Sequence, residues 1–73
     1  SAASDVYKRQ ELEVLREMTG GDTNQEIAER LHMSVATVKT HILNMLEKTG
    51  FRNRTELAVR AREIGLVILN RKN

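Results

Sequence analysis

The residues best suited to chemistry in this chain lie on one face of a short segment, residues 35–48. Lys39 can reach a guanine edge or a phosphate, while Ala36 and Thr40 are small enough to let a helix approach DNA closely. The apolar residues of the segment recur at helical spacing and predict a buried stripe: Val38, Ile42, Met45 and Leu46. Lys39 and Thr40 therefore lie on the face that this stripe leaves free.

A shorter predicted helix precedes this segment, and a tight turn joins the two. Thr23 and Glu26 form a capping box, in which each side chain bonds the backbone amide of the other residue. In the turn, His32 is expected to adopt a positive φ, and Ser34 is expected to cap the longer helix. This order of elements is that of a helix-turn-helix, which sets a recognition helix in the DNA major groove.

Two further helices complete the predicted fold. The first covers residues 8–18 and stops at Gly20 and Gly21, because glycine accepts the left-handed conformation after a helix. The last begins after Asn53 and ends at Gly65, with an apolar stripe of Leu57, Ala58, Ala61 and Ile64. The sequence thus predicts an all-α fold, a compact four-helix domain that contains a helix-turn-helix.

Length and charge narrow the class of protein. Seventy-three residues form one small domain, and the absence of cysteine excludes disulfides and cysteine-ligated zinc. No apolar run is long enough for a membrane helix, so a cytoplasmic protein is expected. Residues 1–33 carry four basic and seven acidic side chains, whereas residues 34–73 carry eight basic and three acidic ones. This asymmetry favours a chain that turns one side toward a polyanion.

Several polar residues are candidates for phosphate contacts. Asn24 and Thr37 stand at helix N-termini, where backbone amides and the helix dipole favour an anion. Basic residues that flank the recognition helix could hold the DNA backbone by charge. With Asn44 on the exposed face, the remaining candidates are Lys48, Arg52 and Arg54.

The sequence offers little for catalysis or for a bound cofactor. His32 and His41 lack a zinc-site spacing, and no serine has a plausible base partner. We interpret Glu11, Glu13 and Glu17 as a solvated helix face rather than an acid/base pair. We therefore expect no enzyme, no metal, no cofactor and no small-molecule ligand in this domain.

Four groups of residues resemble the DNA-binding domain of LuxR-type (NarL/FixJ-like) transcription regulators. They are residues 23–28 (TNQEIA), 31–34 (LHMS), 37–42 (TVKTHI) and 50–58 (GFRNRTELA). The resemblance covers about residues 11–67, and it implies the DNA-binding output domain of a response regulator or a ligand-sensing regulator. The implied partners are double-stranded DNA, a second copy of the chain on DNA, and RNA polymerase.

The resemblance also assigns roles by position. The third helix, about residues 35–48, enters the major groove, and its base-facing residues are Ala36, Lys39, Thr40 and Leu43. The fourth helix contributes to dimer contacts, with the candidates Thr55, Glu56, Val59 and Arg62.

The ends of the chain are expected to differ from the family. Residues 7–11 read YKRQE where the family has Leu-Thr-x-Arg-Glu, and only Glu11 fits. We therefore expect residues 1–10 to be a non-native or disordered leader and residues 11–69 to form the domain. Leu66 and Val67 are expected to fold back onto the core, and residues 70–73 to fray.

Two other functions fit a helix-turn-helix of this size. A promoter-reading domain of a sigma factor has a similar motif but acts within RNA polymerase and does not dimerise. A protein-interaction or dimerisation module without DNA binding belongs to another class. The basic second half of the chain and the polar face around Lys39 favour DNA binding over that module.

Overall fold

The computed structural model describes residues 7–65, and within them it contains four helices and no strand. We number the helices α1 (Arg9–Thr19), α2 (Asn24–Leu31), α3 (Val35–Thr49) and α4 (Arg54–Glu63). The predicted all-α, four-helix fold is confirmed. The predictions for Leu66, Val67 and residues 70–73 lie outside the described residues.

Helix α1 begins earlier than the expected domain boundary. Lys8 is its N-cap residue but offers no side-chain acceptor, and the Lys8 amide donates to Glu11 Oε1 at 3.0 Å. Tyr7 is buried in the core, whereas Lys8, Arg9 and Gln10 are exposed at the start of α1. The boundary placed at Glu11 thus falls inside α1. The non-native origin of residues 1–10 stays a prediction.

The link from α2 to α3 has the predicted turn. The Thr23 hydroxyl accepts from the Glu26 amide at 3.2 Å, and Glu26 Oε1 accepts from the Thr23 amide at 2.9 Å. His32 adopts φ 58° and ψ 48°, which confirms its positive φ. The Ser34 hydroxyl accepts from the Thr37 amide at 3.0 Å and caps α3. The helix-turn-helix is therefore shaped by hydrogen bonds between residues close in sequence.

Two predicted helix ends need correction. After α1, Gly20 stays in the right-handed region at φ −80°, and it is Gly21 that takes a positive φ of 94°. Ile64 was expected in the buried stripe of α4, but α4 ends at Glu63 and Ile64 is 58% exposed. Gly65, the expected stop of α4, has a positive φ of 77°. The Ile64 backbone has already left the helix, so the Ile64 side chain does not lie on the buried face with Leu57 and Ala61.

The core draws on all four helices and holds α3 from one side. Both α1 and α3 pack against each of the other three helices. Each fully buried aliphatic side chain stabilises the fold by about 1.5–3 kcal/mol relative to exposure. The largest fully buried side chains are Val14, Leu15, Ile27, Val38, Met45 and Leu57.

Candidate nucleic-acid interface

The outer face of α3 is open along its length. Val38 and Met45 on the inner face are completely buried, and Ile42 is nearly so. All of the outer residues that the sequence singled out are exposed: Ala36, Thr37, Lys39, Thr40, Leu43 and Asn44. The structure therefore brings these candidates together on one surface, which we call the α3 outer face.

The outer face combines three kinds of chemistry. Lys39 makes no hydrogen bond or ion pair within residues 7–65, so its ammonium group faces solvent. The Thr40 hydroxyl donates to the Ala36 carbonyl at 3.0 Å, which leaves the hydroxyl oxygen as an acceptor. Leu43, one helical turn beyond Lys39, is 64% exposed. A cation, a hydroxyl acceptor and an apolar group thus lie side by side.

Among the basic candidates for phosphate contacts, two side chains bind other residues of the domain and one extends into solvent. Lys48 Nζ lies 2.8 Å from Glu11 Oε1. Arg54 donates to Asn24 Oδ1 and, at 3.4 Å, to the Asp22 carbonyl. Arg52, by contrast, has an 87% exposed side chain and only a long contact of 3.6 Å to Glu56.

The sequence predicts Asn24 and Arg54 as separate phosphate contacts but does not predict that they bind each other. Asn24 begins α2 and Arg54 begins α4, and their side chains meet across 30 residues of chain. The guanidinium group therefore lies beside the N-terminus of α2, where unpaired amides and the helix dipole already favour an anion. The side chains of two predicted phosphate contacts therefore lie together at one corner of the domain.

Glu11 overturns our interpretation of the acidic residues of α1 as a solvated face. Its side chain is only 3% exposed and is paired with Lys48 between α1 and α3. The sequence did carry a signal, because Glu11, Leu15 and Met18 share a helical stripe at i, i+4 and i+7. Charge alone predicts a solvated Glu11, but α1 packs the stripe that contains Glu11 against α3.

The surroundings of Glu11 favour its charged form. Burial by itself raises the pKa of this carboxyl group. Hydrogen bonds from Lys48 and the Lys8 amide, together with the positive charges of Lys48 and His41, outweigh burial and hold the pKa below its ordinary value. A buried carboxylate with these donors contributes to folding instead of opposing it.

His41 lies close to this pair on the inner side of α3. It is half-buried, and its Nε2 atom is buried without a hydrogen-bond partner in the described part of the chain. Across residues 7–65, no three histidine or acidic side chains are grouped so as to bind a metal ion. The same residues contain no helix that is both long and apolar enough to cross a membrane.

The dimer candidates on α4 are not equivalent. Thr55, Val59 and Arg62 are exposed, with Val59 at 45%. Glu56 is half-buried and accepts from the Arg52 amide at 2.8 Å, while its own amide donates to Asn53 Oδ1 at 2.9 Å. Glu56 therefore has a local role at the start of α4, in addition to being a dimer candidate.

Comparisons with known proteins agree with this geometry. A family model for bacterial regulatory proteins of the luxR family matches residues 6–61. Over 64 residues the chain is 41% identical to the uncharacterised transcriptional regulatory protein YxjL of Bacillus subtilis, a match that covers 88% of this chain and 29% of that protein. Over 59 residues it is 46% identical to the transcriptional regulatory protein LiaR of the same organism, with coverages of 81% and 28%.

A third relative comes from another genus. The chain is 35% identical over 63 residues to the response regulator protein VraR of Staphylococcus aureus, covering 86% of this chain and 30% of VraR. The chain spans less than a third of the length of these three relatives.

Fold, outer face and comparisons together define a helix-turn-helix DNA-binding domain of a bacterial transcription regulator. The chain belongs to the luxR family of bacterial regulatory proteins, which confirms the resemblance. This is a family of DNA-binding regulators and not of enzymes. The comparisons favour neither of the two alternative functions, a promoter-reading domain of a sigma factor or an interaction module without DNA binding.

Replacing Lys48 should weaken the fold. Lys48→Met keeps the aliphatic stem but leaves Glu11 buried without its charged partner, so we expect the free energy of unfolding to fall by about 1–3 kcal/mol. Urea denaturation measures the change. Lys39→Met removes the same charge from the α3 outer face and serves as the control, with an expected change below about 0.5 kcal/mol. Equal losses in the two variants would contradict a structural role for Lys48.

The charge of Glu11 should make stability depend on acid pH. A depressed pKa in the folded state stabilises the protein fully above the unfolded-state value, near 4.5, and this contribution is lost as pH falls through the folded-state pKa. Between pH 7 and pH about 3.5, Glu11→Gln should therefore lose less stability than the parent chain. Glu13→Gln, at an exposed position of α1, controls for the loss of one negative charge. Parallel stability curves for parent and Glu11→Gln would refute the assignment.

Proposed function

We propose that this domain reads a specific sequence of double-stranded DNA, with α3 in the major groove. The observation that carries the proposal is the α3 outer face, which is exposed while the core holds the opposite side of the helix. Residues that make contact with base edges are Ala36, Lys39, Thr40 and Leu43. The outward Lys39 ammonium suits the O6 and N7 acceptors of guanine.

Residues that bind DNA phosphates surround the α3 outer face. Asn24 with Arg54, and Thr37 near the start of α3, supply donors at helix N-termini. Arg52 and Asn44 are exposed and reach outward. Lys48 adds to the local positive potential, but the charge of Glu11 offsets it, so its share of the phosphate affinity is smaller than that of Arg52.

We further propose that the domain binds DNA as a dimer through α4. The exposed Thr55, Val59 and Arg62 supply the contact surface, and Glu56 shapes the start of the helix. The similarity to a named response regulator supports an output domain controlled by another part of a longer protein. We also propose that the domain acts in the cytoplasm and contacts RNA polymerase.

Selection from a random duplex pool at low and moderate salt tests the function. We expect enrichment of a two-fold symmetric motif with half-sites about one helical turn apart. An asymmetric single site would contradict the dimer. Binding without enrichment would contradict sequence-specific readout, and no binding at low salt would favour an interaction module instead.

Lys39→Ala should weaken binding to the selected site by about 1–3 kcal/mol and relax selectivity at one base pair. The cause is loss of the guanine contact, so an unrelated duplex should lose less. Arg16→Ala removes one exposed charge from α1 and is the matched control for a general electrostatic effect. Fluorescence anisotropy with both duplexes measures the change. Equal losses on both duplexes, or equal losses in the two variants, would remove Lys39 from the readout.

A further inference from the structure

The α3 outer face holds one side chain whose exposure needs an explanation. Leu43 is 64% exposed, more than any other large apolar side chain in residues 7–65. The inner face of α3 is already packed with Val38, Ile42 and Met45. Burial in the core therefore does not account for a leucine at this position.

We infer that Leu43 selects thymine at one position of each half-site by packing against the C5 methyl group in the major groove. This inference rests on the proposed function, and it adds the base and the chemical group that are read. Leucine neither donates nor accepts a hydrogen bond. Among the base edges of the major groove, the thymine methyl is the apolar feature.

The neighbours of Leu43 place it among the groups that read bases. It follows Thr40 by three residues and Lys39 by four, the spacing at which helix side chains adjoin on one face. When α3 lies in the groove, Leu43 is thus carried to the base edges along with the Lys39 ammonium. If Leu43 faced cytosine instead, it would exclude water from the cytosine amino group, which is a hydrogen-bond donor. Leucine offers no acceptor to replace the lost hydrogen bond to water.

The spacing also predicts where the thymine lies. One helical turn of four residues advances about 6 Å along the helix axis, and stacked base pairs are about 3.4 Å apart. The thymine read by Leu43 should therefore lie within two base pairs of the guanine read by Lys39. Thr40, between them, leaves its hydroxyl oxygen open as an acceptor.

Single replacements of thymine by deoxyuridine in the selected site test the inference, because each removes one methyl group and leaves the hydrogen-bonding edges unchanged. At one position per half-site we expect affinity to fall about fourfold, the effect of losing one buried methyl group. In Leu43→Ala the same replacement should have no effect. Lys39→Ala, which binds more weakly, should keep the fourfold loss.

The outcomes separate this inference from the function on which it rests. An enriched motif without any uracil-sensitive position would overturn the role of Leu43 and leave sequence-specific binding in place. A uracil penalty of equal size in Leu43→Ala would overturn it as well. Failure to enrich any motif would overturn the proposed function and the inference together. Because Leu43 is exposed, Leu43→Ala should fold, and its circular dichroism spectrum checks this.

Discussion

The buried ion pair between Glu11 and Lys48 joins α1 to the end of α3, the helix that carries the α3 outer face. A carboxylate that is 3% exposed is costly unless its charge is matched. Its donors are the amide at the start of α1 and the ammonium group near the end of α3. A large shift of α3 along α1 would separate the ammonium group from the carboxylate and leave that charge buried without its partner. Apolar contacts of Leu15 and Met45 then fill the space between the helices.

This arrangement divides the basic residues by what they do. Lys48 and Arg54 face other parts of the domain, and each binds a residue of another helix. Lys39 and Arg52 extend into solvent, where a charged side chain contributes little to the free energy of folding. Since the outer face is not needed for packing, its residues are free to suit a particular DNA sequence. Leu43 can be exposed on this face because its side chain is not part of the hydrophobic core.

Local features were the most predictable part of the fold. The capping box at Thr23, the cap at Ser34 and the positive φ of His32 each follow from groups within four residues of one another. The wrong predictions arose where a sequence pattern was overridden, in one case by the end of a helix and in the other by packing. Ile64 continued the apolar stripe of α4 in sequence, but the helix had already ended. Glu11 looked solvated because it is charged, but it lies in the stripe that packs on α3.

The sequence by itself determined the four helices, the turn and the residues of the α3 outer face, because helical spacing and capping depend on neighbours along the chain. It also carried the family resemblance. Only the tertiary structure decided which basic side chains are paired with other residues of the domain. Glu11 and Lys48 are 37 residues apart, and Asn24 and Arg54 are 30 apart. Such pairs form only when packing of the helices brings distant side chains together, and no local pattern encodes that distance.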